Sequence, residues 1–214
     1  MQSSRRPTHT PERPSRGSVL GRVLAVASLG ASALGAADCL SNPAVDEVIA
    51  SLGAEKSGVR AGPLHRGGQP CLVCHGGAGP GSPDFSVAGT IYATPTDPTP
   101  VNAASILITD ATGKQKEVFS NCAGNFLTDA KNFVPIYPLR VKVICELPLP
   151  AGAPAGTPKQ TRRSVMQTRI SRDGSCSSCH FGDPSESSPG RLSCGVSQPD
   201  PPFTQLSGCF AGGG

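Results

Sequence analysis

Cys71-Leu72-Val73-Cys74-His75 and Cys176-Ser177-Ser178-Cys179-His180 repeat one spacing, C-x-x-C-H. Two thiols three positions apart can add across the two vinyl groups on one edge of a porphyrin. The His that follows then lies under the ring and offers a nitrogen to iron. The spacing predicts two covalently bound haem c groups. Cys71, Cys74, Cys176 and Cys179 are the expected attachment thiols, and His75 and His180 the expected proximal ligands. Two haems on one chain predict an electron carrier and not an enzyme. No paired acid and base stands near either motif, and there is no Ser/His/Asp set, phosphate-binding Gly loop or His cluster for copper.

Two other chemistries use paired C-x-x-C. Two such knuckles can close a four-cysteine zinc site, but that site needs no His after either knuckle. With four His in 214 residues, chance places a His at both positions roughly once in 3000. A thioredoxin-like dithiol would sit in a strand-to-helix turn of a βαβ unit, and neither motif has that context.

The sixth iron ligand is restricted by composition. The chain has four His and two Met. His9 and Met1 fall in the expected leader, and His75 and His180 are proximal. His65 and Met166 are then the conventional distal ligands left for two irons. An exposed loop position for His65 and plain core packing for Met166 remain open. Which haem each would serve is open too, with Lys, Tyr92, Tyr137 or a water site as substitutes. Paired His ligands give low potentials and a Met ligand raises them, so one haem of each kind would form a graded pair. An iron left open would instead permit small-ligand or peroxide chemistry.

Residues 1–37 read as a secretory leader. Arg5, Arg6, Arg13, Arg16 and Arg22 precede an apolar run, Val23 to Ala37, too short to span a membrane. Gly35-Ala36-Ala37 offers small residues for cleavage, and an uncleaved anchor is the alternative. The leader's five Arg and one Glu account for the formal charge of +4, so residues 38–214 are neutral. Nucleic acid is therefore not an expected partner. The expected location is the periplasm or the outer cell surface. Membrane association stays possible there without a mature spanning segment, and the redox partners are unknown.

Export suits nine cysteines. Four go to haem, leaving Cys39, Cys122, Cys145, Cys194 and Cys209. Cys122–Cys145 is the first expected disulfide, since both flank neighbouring strands. Cys194–Cys209 is the second, with Cys39 left over, although other pairings satisfy the same count.

These residues need a scaffold. Asn42 to Leu52 carries Val45, Val48, Ile49 and Leu52 at helical spacing and predicts one short N-terminal helix. Residues 62–79, rich in Gly, predict a loop with at most a turn of helix at the first motif, open enough for a porphyrin to approach. Strands are expected at Ser86–Tyr92, Ala104–Thr109, Lys114–Ser120, Phe126-Leu127, Leu139–Glu146 and Thr161–Ile170. Turns at Asp110–Gly113 and Asn121–Asn125 separate them. Ala93–Val101 and Leu147–Pro158 are Pro-rich and predict surface connections, the first with a binding loop as its alternative. The fold class is mainly β: a Greek-key β-sandwich flanked by loop-rich haem-binding segments. The expected division is a leader at 1–37, a first haem segment at 38–85, the sandwich at 86–175, and the second haem site with a Cys/Pro/Gly-rich coiled extension at 176–214.

Several stretches together resemble a family. They are Leu64-His65-Arg66, Gly68 through His75, Ala88 through Tyr92, Asp110 with Gly113, Gly124-Asn125-Phe126, Met166, and Gly174 through His180. The pattern is similar to exported bacterial cytochromes in which a transthyretin-like, or carboxypeptidase-regulatory-like, sandwich lies between two haem motifs. The resemblance covers roughly residues 38–182 and implies electron transfer in the periplasm or at the cell surface, with no named partner. Regulatory sandwiches of this kind also imply an alternative, a haem-bearing binding or scaffold module with a surface partner. A peroxidase-like enzyme and a zinc-knuckle protein stand behind it.

Overall fold

A computed structural model describes residues 42–55, 59 and 61–204. The expected leader, Cys39 and Cys209 lie outside the described residues. The chain is mainly β. Six strands form two antiparallel sheets: β1 (Phe85–Thr90), β2 (Ser105–Thr109), β3 (Gln115–Phe119), β4 (Asn125–Asp129), β5 (Arg140–Glu146) and β6 (Thr161–Val165). One sheet pairs β1 with β4; the other runs β3-β2-β5-β6.

Alternation sets the packing. In β5, Val141, Val143 and Cys145 are buried while Arg140 and Glu146 face solvent. The β2–β5 register puts Ile106 opposite Val143 and Ile108 opposite Val141. Phe126 of β4 and Val87 of β1 meet these side chains from the other sheet, so one apolar core lies between the two. The β2–β3 hairpin turns on Asp110, whose Oδ1 accepts from the amides of Thr112 at 2.8 Å and Lys114 at 3.0 Å. Gly113 supplies the positive φ, +88°.

Helix α1 (Pro43–Ser51) starts at Asn42 with Pro43 in its first turn. None of its residues is buried. It is anchored at its far end, where Gln69 Nε2 donates to the Leu52 carbonyl at 3.1 Å and Arg66 Nη1 to the Gly53 carbonyl at 3.1 Å. No helix among the described residues is long and apolar enough to cross a membrane.

The observed strands stop earlier than two of the expected ones. β1 ends at Thr90, and Tyr92 turns to the C-terminal segment instead. Its amide donates to the Leu192 carbonyl at 2.9 Å, and Cys194 donates to the Tyr92 carbonyl at 3.0 Å. β6 ends at Val165, and Ile170 rejoins the sheet by two bonds to Leu139 of 2.8 and 3.0 Å. Ala93–Val101 is partly interior, with Ala93, Thr94 and Val101 buried. A short bridge between Tyr92 and Pro100 folds it inward.

Both expected disulfides are corrected. Cys145 pairs with Cys194, Cα to Cα 5.7 Å, and not with Cys122. Cys194 is thereby unavailable to Cys209. Cys145 points to the inner face of β5, and residues 192–194 arrive there beside Tyr92. Cys122 sits in the turn ahead of β4 and is held in a disulfide of its own. Residues 188–194 of the stretch expected to be a coiled extension are thus built into the sandwich, with Ser188 and Cys194 buried.

Candidate functional site

The first C-x-x-C-H forms a single helical turn, α2 (Cys71–His75). The chain then folds back tightly. A Cβ at Gly76 would lie 2.4 Å from the Leu72 carbonyl oxygen, and one at Gly79 would lie 2.3 Å from that of Val73. The Gly81 amide donates to the Cys74 carbonyl at 2.8 Å. These glycines therefore serve the return over α2, where the sequence suggested access for a porphyrin. The return lays Gly81 over the His75 imidazole, because a Cβ there would be 2.8 Å from each of three ring atoms. Phe85 stacks on the same imidazole with centroids 4.4 Å apart and planes 14° from parallel. His75 Nδ1 lies 2.8 Å from the Pro83 carbonyl oxygen. A carbonyl only accepts, so Nδ1 carries a hydrogen, and in the neutral ring Nε2 keeps its lone pair. Metal-binding imidazoles are commonly oriented this way.

His65 shares this site. Its ring centroid is 5.9 Å from that of His75, with planes 23° apart. Gly62 donates its amide to His65 Nδ1 at 2.9 Å. In a neutral ring so held the hydrogen is on Nε2, so metal binding requires a turn about Cβ–Cγ or loss of that proton. A cavity of about 570 Å³ is lined by both His, by Cys71 and Cys74, and by Phe85 and Phe126. That volume lies in the range of cofactor pockets.

The second motif forms a 3₁₀ turn, Cys176–Ser178. His180 repeats the arrangement of His75: its Nδ1 lies 3.0 Å from the Gly190 carbonyl oxygen, which in the neutral ring puts the hydrogen on Nδ1 and leaves Nε2 its lone pair. Ser188 makes the loop that carries Gly190, accepting from the amides of Phe181 and Gly190, both at 3.1 Å. A cavity of about 650 Å³ is lined by Cys176, Cys179, His180, Met166, Val141 and Val143. Ser175 Oγ also borders it and has no hydrogen-bond partner although buried, an orphaned donor beside a cofactor-sized space.

The six expected motif residues therefore fall into two cavities. His65 joins the first and Met166 the second, an allocation the sequence left open. No Lys, and neither Tyr92 nor Tyr137, lines either cavity. Sequence reading did not single out Phe85, Gly81, Pro83, Ser188 and Gly190 as site residues. Their role comes from chain reversals, and only the short distance to each motif hinted at it.

The two sites flank β1. On one side, Thr90 Oγ1 accepts from the Gly68 amide at 2.8 Å, and Phe85 stacks on His75. On the other, the Ala88 amide donates to the Gly174 carbonyl at 3.0 Å. Gly89 leaves no room there, since a Cβ would come 2.8 Å from Cys176 Cβ.

The cysteines are sorted by role. Cys71, Cys74, Cys176 and Cys179 are free thiols, whereas Cys122, Cys145 and Cys194 are in disulfides. Burial pushes the Cys71 thiol up to about 11. It pushes Cys176 up to about 12, with the charge of nearby Cys71 adding to the effect. A redox dithiol needs the opposite shift. A thioether carries no charge and tolerates the same burial. Among the described residues no three His, Cys, Asp or Glu side chains converge as a metal-holding group.

No family model, no curated protein and no solved structure matches the chain.

Proposed function

We propose that this chain is an exported dihaem c-type cytochrome that carries electrons in the periplasm or at the cell surface, similar to the bacterial cytochromes with a sandwich between two haem motifs. The observation that carries the reading is the shared state of His75 and His180. Each spends its Nδ1 hydrogen on a backbone carbonyl and keeps Nε2 free beside a cavity lined by its own two thiols. When bound, each haem supplies a one-electron couple.

The residues divide the work. Cys71 and Cys74, and likewise Cys176 and Cys179, fix the porphyrin edges. Phe85, Gly81 and the Pro83 carbonyl hold the His75 ring in one orientation. His65 and Met166 would complete the ligand sets of the first and second haem. A His/His haem would have the lower potential and a His/Met haem the higher, which would favour transfer from the first site to the second. The raised Cys71 and Cys176 thiols argue against the dithiol reading.

The test is expression with its leader in a host that matures c-type cytochromes. The exported protein should carry two covalent haems per chain by intact mass. Its redox titration should show two separate one-electron steps. One haem or none overturns the reading.

A further inference from the structure

The loop that carries His65 is tied to the sheet by side chains with no place in the ligand set. Asn125, the first residue of β4, donates Nδ2 to the Pro63 carbonyl at 3.2 Å and to the His65 carbonyl at 3.0 Å. Its Oδ1 accepts from Thr90 Oγ1 at 2.8 Å, and that hydroxyl accepts from the Gly68 amide at 2.8 Å. Asn121 Nδ2 adds a bond of 2.6 Å to the Pro63 carbonyl. Pro63, His65 and Gly68 are thereby fixed to β1 and β4, the strands that also present Phe85 and Phe126 to the first cavity.

This tether opposes strain. Arg66, next to His65, has φ +49°, a region that side chains other than Gly rarely occupy. Its amide donates to Glu55 Oε1 at 3.3 Å, and its guanidinium lies 3.5 Å from the Glu55 carboxylate. Such a backbone persists only where its surroundings over-determine it. Asn125 supplies two of the bonds that do so, on either side of the imidazole's place in the loop.

We infer that Asn125 is the positioning residue for the second ligand of the first haem, holding the His65 loop so that its imidazole stays at the cavity that His75 also lines. The inference rests on the dihaem reading and goes beyond it, since Asn125 lines the first cavity but supplies neither an iron ligand nor an attachment thiol. Loosening the loop lowers the effective concentration of His65 at the iron without removing the ligand.

The test uses the matured dihaem protein with Asn125→Asp, Asn125→Ala, His65→Ala and the Asn125→Asp/His65→Ala pair. Asn125→Asp is nearly isosteric and keeps the acceptor for Thr90 while losing both donated bonds. It should shift one haem of the two from low to high spin by EPR and optical spectra. Added imidazole should restore low spin, binding about tenfold or more tightly than to the parent protein, as loss of two net hydrogen bonds implies. His65→Ala should give the same spin change, and the pair should add nothing to it. Low-spin spectra in both Asn125 variants with unchanged imidazole affinity overturn the inference. So does a paired variant whose effect is the sum of the two. A parent protein without covalent haem overturns the dihaem reading instead, and the two failures are told apart by the mass of the parent.

Discussion

Met166 donates its amide to the Val141 carbonyl at 3.1 Å, one residue beyond the last pair of the β5–β6 ladder. Alternation along β6 then puts its side chain on the face of Val141 and Val143, toward the cavity that holds His180. A single backbone bond thus decides which cavity the sole Met of residues 38–214 lines.

Met166→His should lower the higher of the two potentials by on the order of 0.1 V, within the ~0.8 V that axial ligands span. The lower potential should stay where it is. Met166→Leu keeps the volume, costs under about 1.5 kcal/mol of stability, and should leave the second haem without its sulfur ligand. A redox titration that finds both potentials unmoved by Met166→Leu would reduce Met166 to a packing residue.

The Cys145–Cys194 bond closes a sequence separation of 49 residues. Loop-closure entropy for that length corresponds to about 4 kcal/mol. Cys145→Ala with Cys194→Ala should lose close to that amount in urea unfolding, and should free the 188–194 segment that holds the His180 partner Gly190. Peptide mapping should recover the 145–194 link in the parent. Recovery of a 122–145 link would contradict the fold.

Alkaline stability should distinguish the chain with and without attached haem. Cys71 and Cys176 have an ordinary value of 9.0 and are raised by burial to about 11 and about 12. Between those values the folded chain holds more protons than the unfolded one, so unfolding becomes easier as pH rises. In the haem-free chain this contribution is intact below pH 9 and lost as the pH climbs through 11 to 12. After both thiols become thioethers nothing titrates there. Urea melts against pH should therefore fall above pH 9 for the haem-free chain and lack that component in the matured protein. Equal alkaline losses would show that the thiols are not converted.

Much of the scaffold was legible because its signals are local. Asp110–Gly113 needs one Asx turn and one positive φ, and Leu139–Glu146 needs a period of two. The interrupted ends of β1 and β6 were not legible. Tyr92 and Ile170 extend their strand patterns in sequence, but Tyr92 is claimed by Leu192 and Cys194, and residues 167–169 leave the sheet before Ile170 returns to Leu139. Long-range pairing overrode local preference there.

By itself the sequence determined two sets of paired thiols, each with a following His, and a composition with one further His and one Met in residues 38–214, His65 and Met166. Residue type and covalent spacing are enough for that. The tertiary structure alone decided the partners. It put His65 with His75, Met166 with His180 and Cys145 with Cys194, and it put β1 between the two sites. Each of these joins residues held in place by other strands and loops, and sequence spacing carries no measure of that distance.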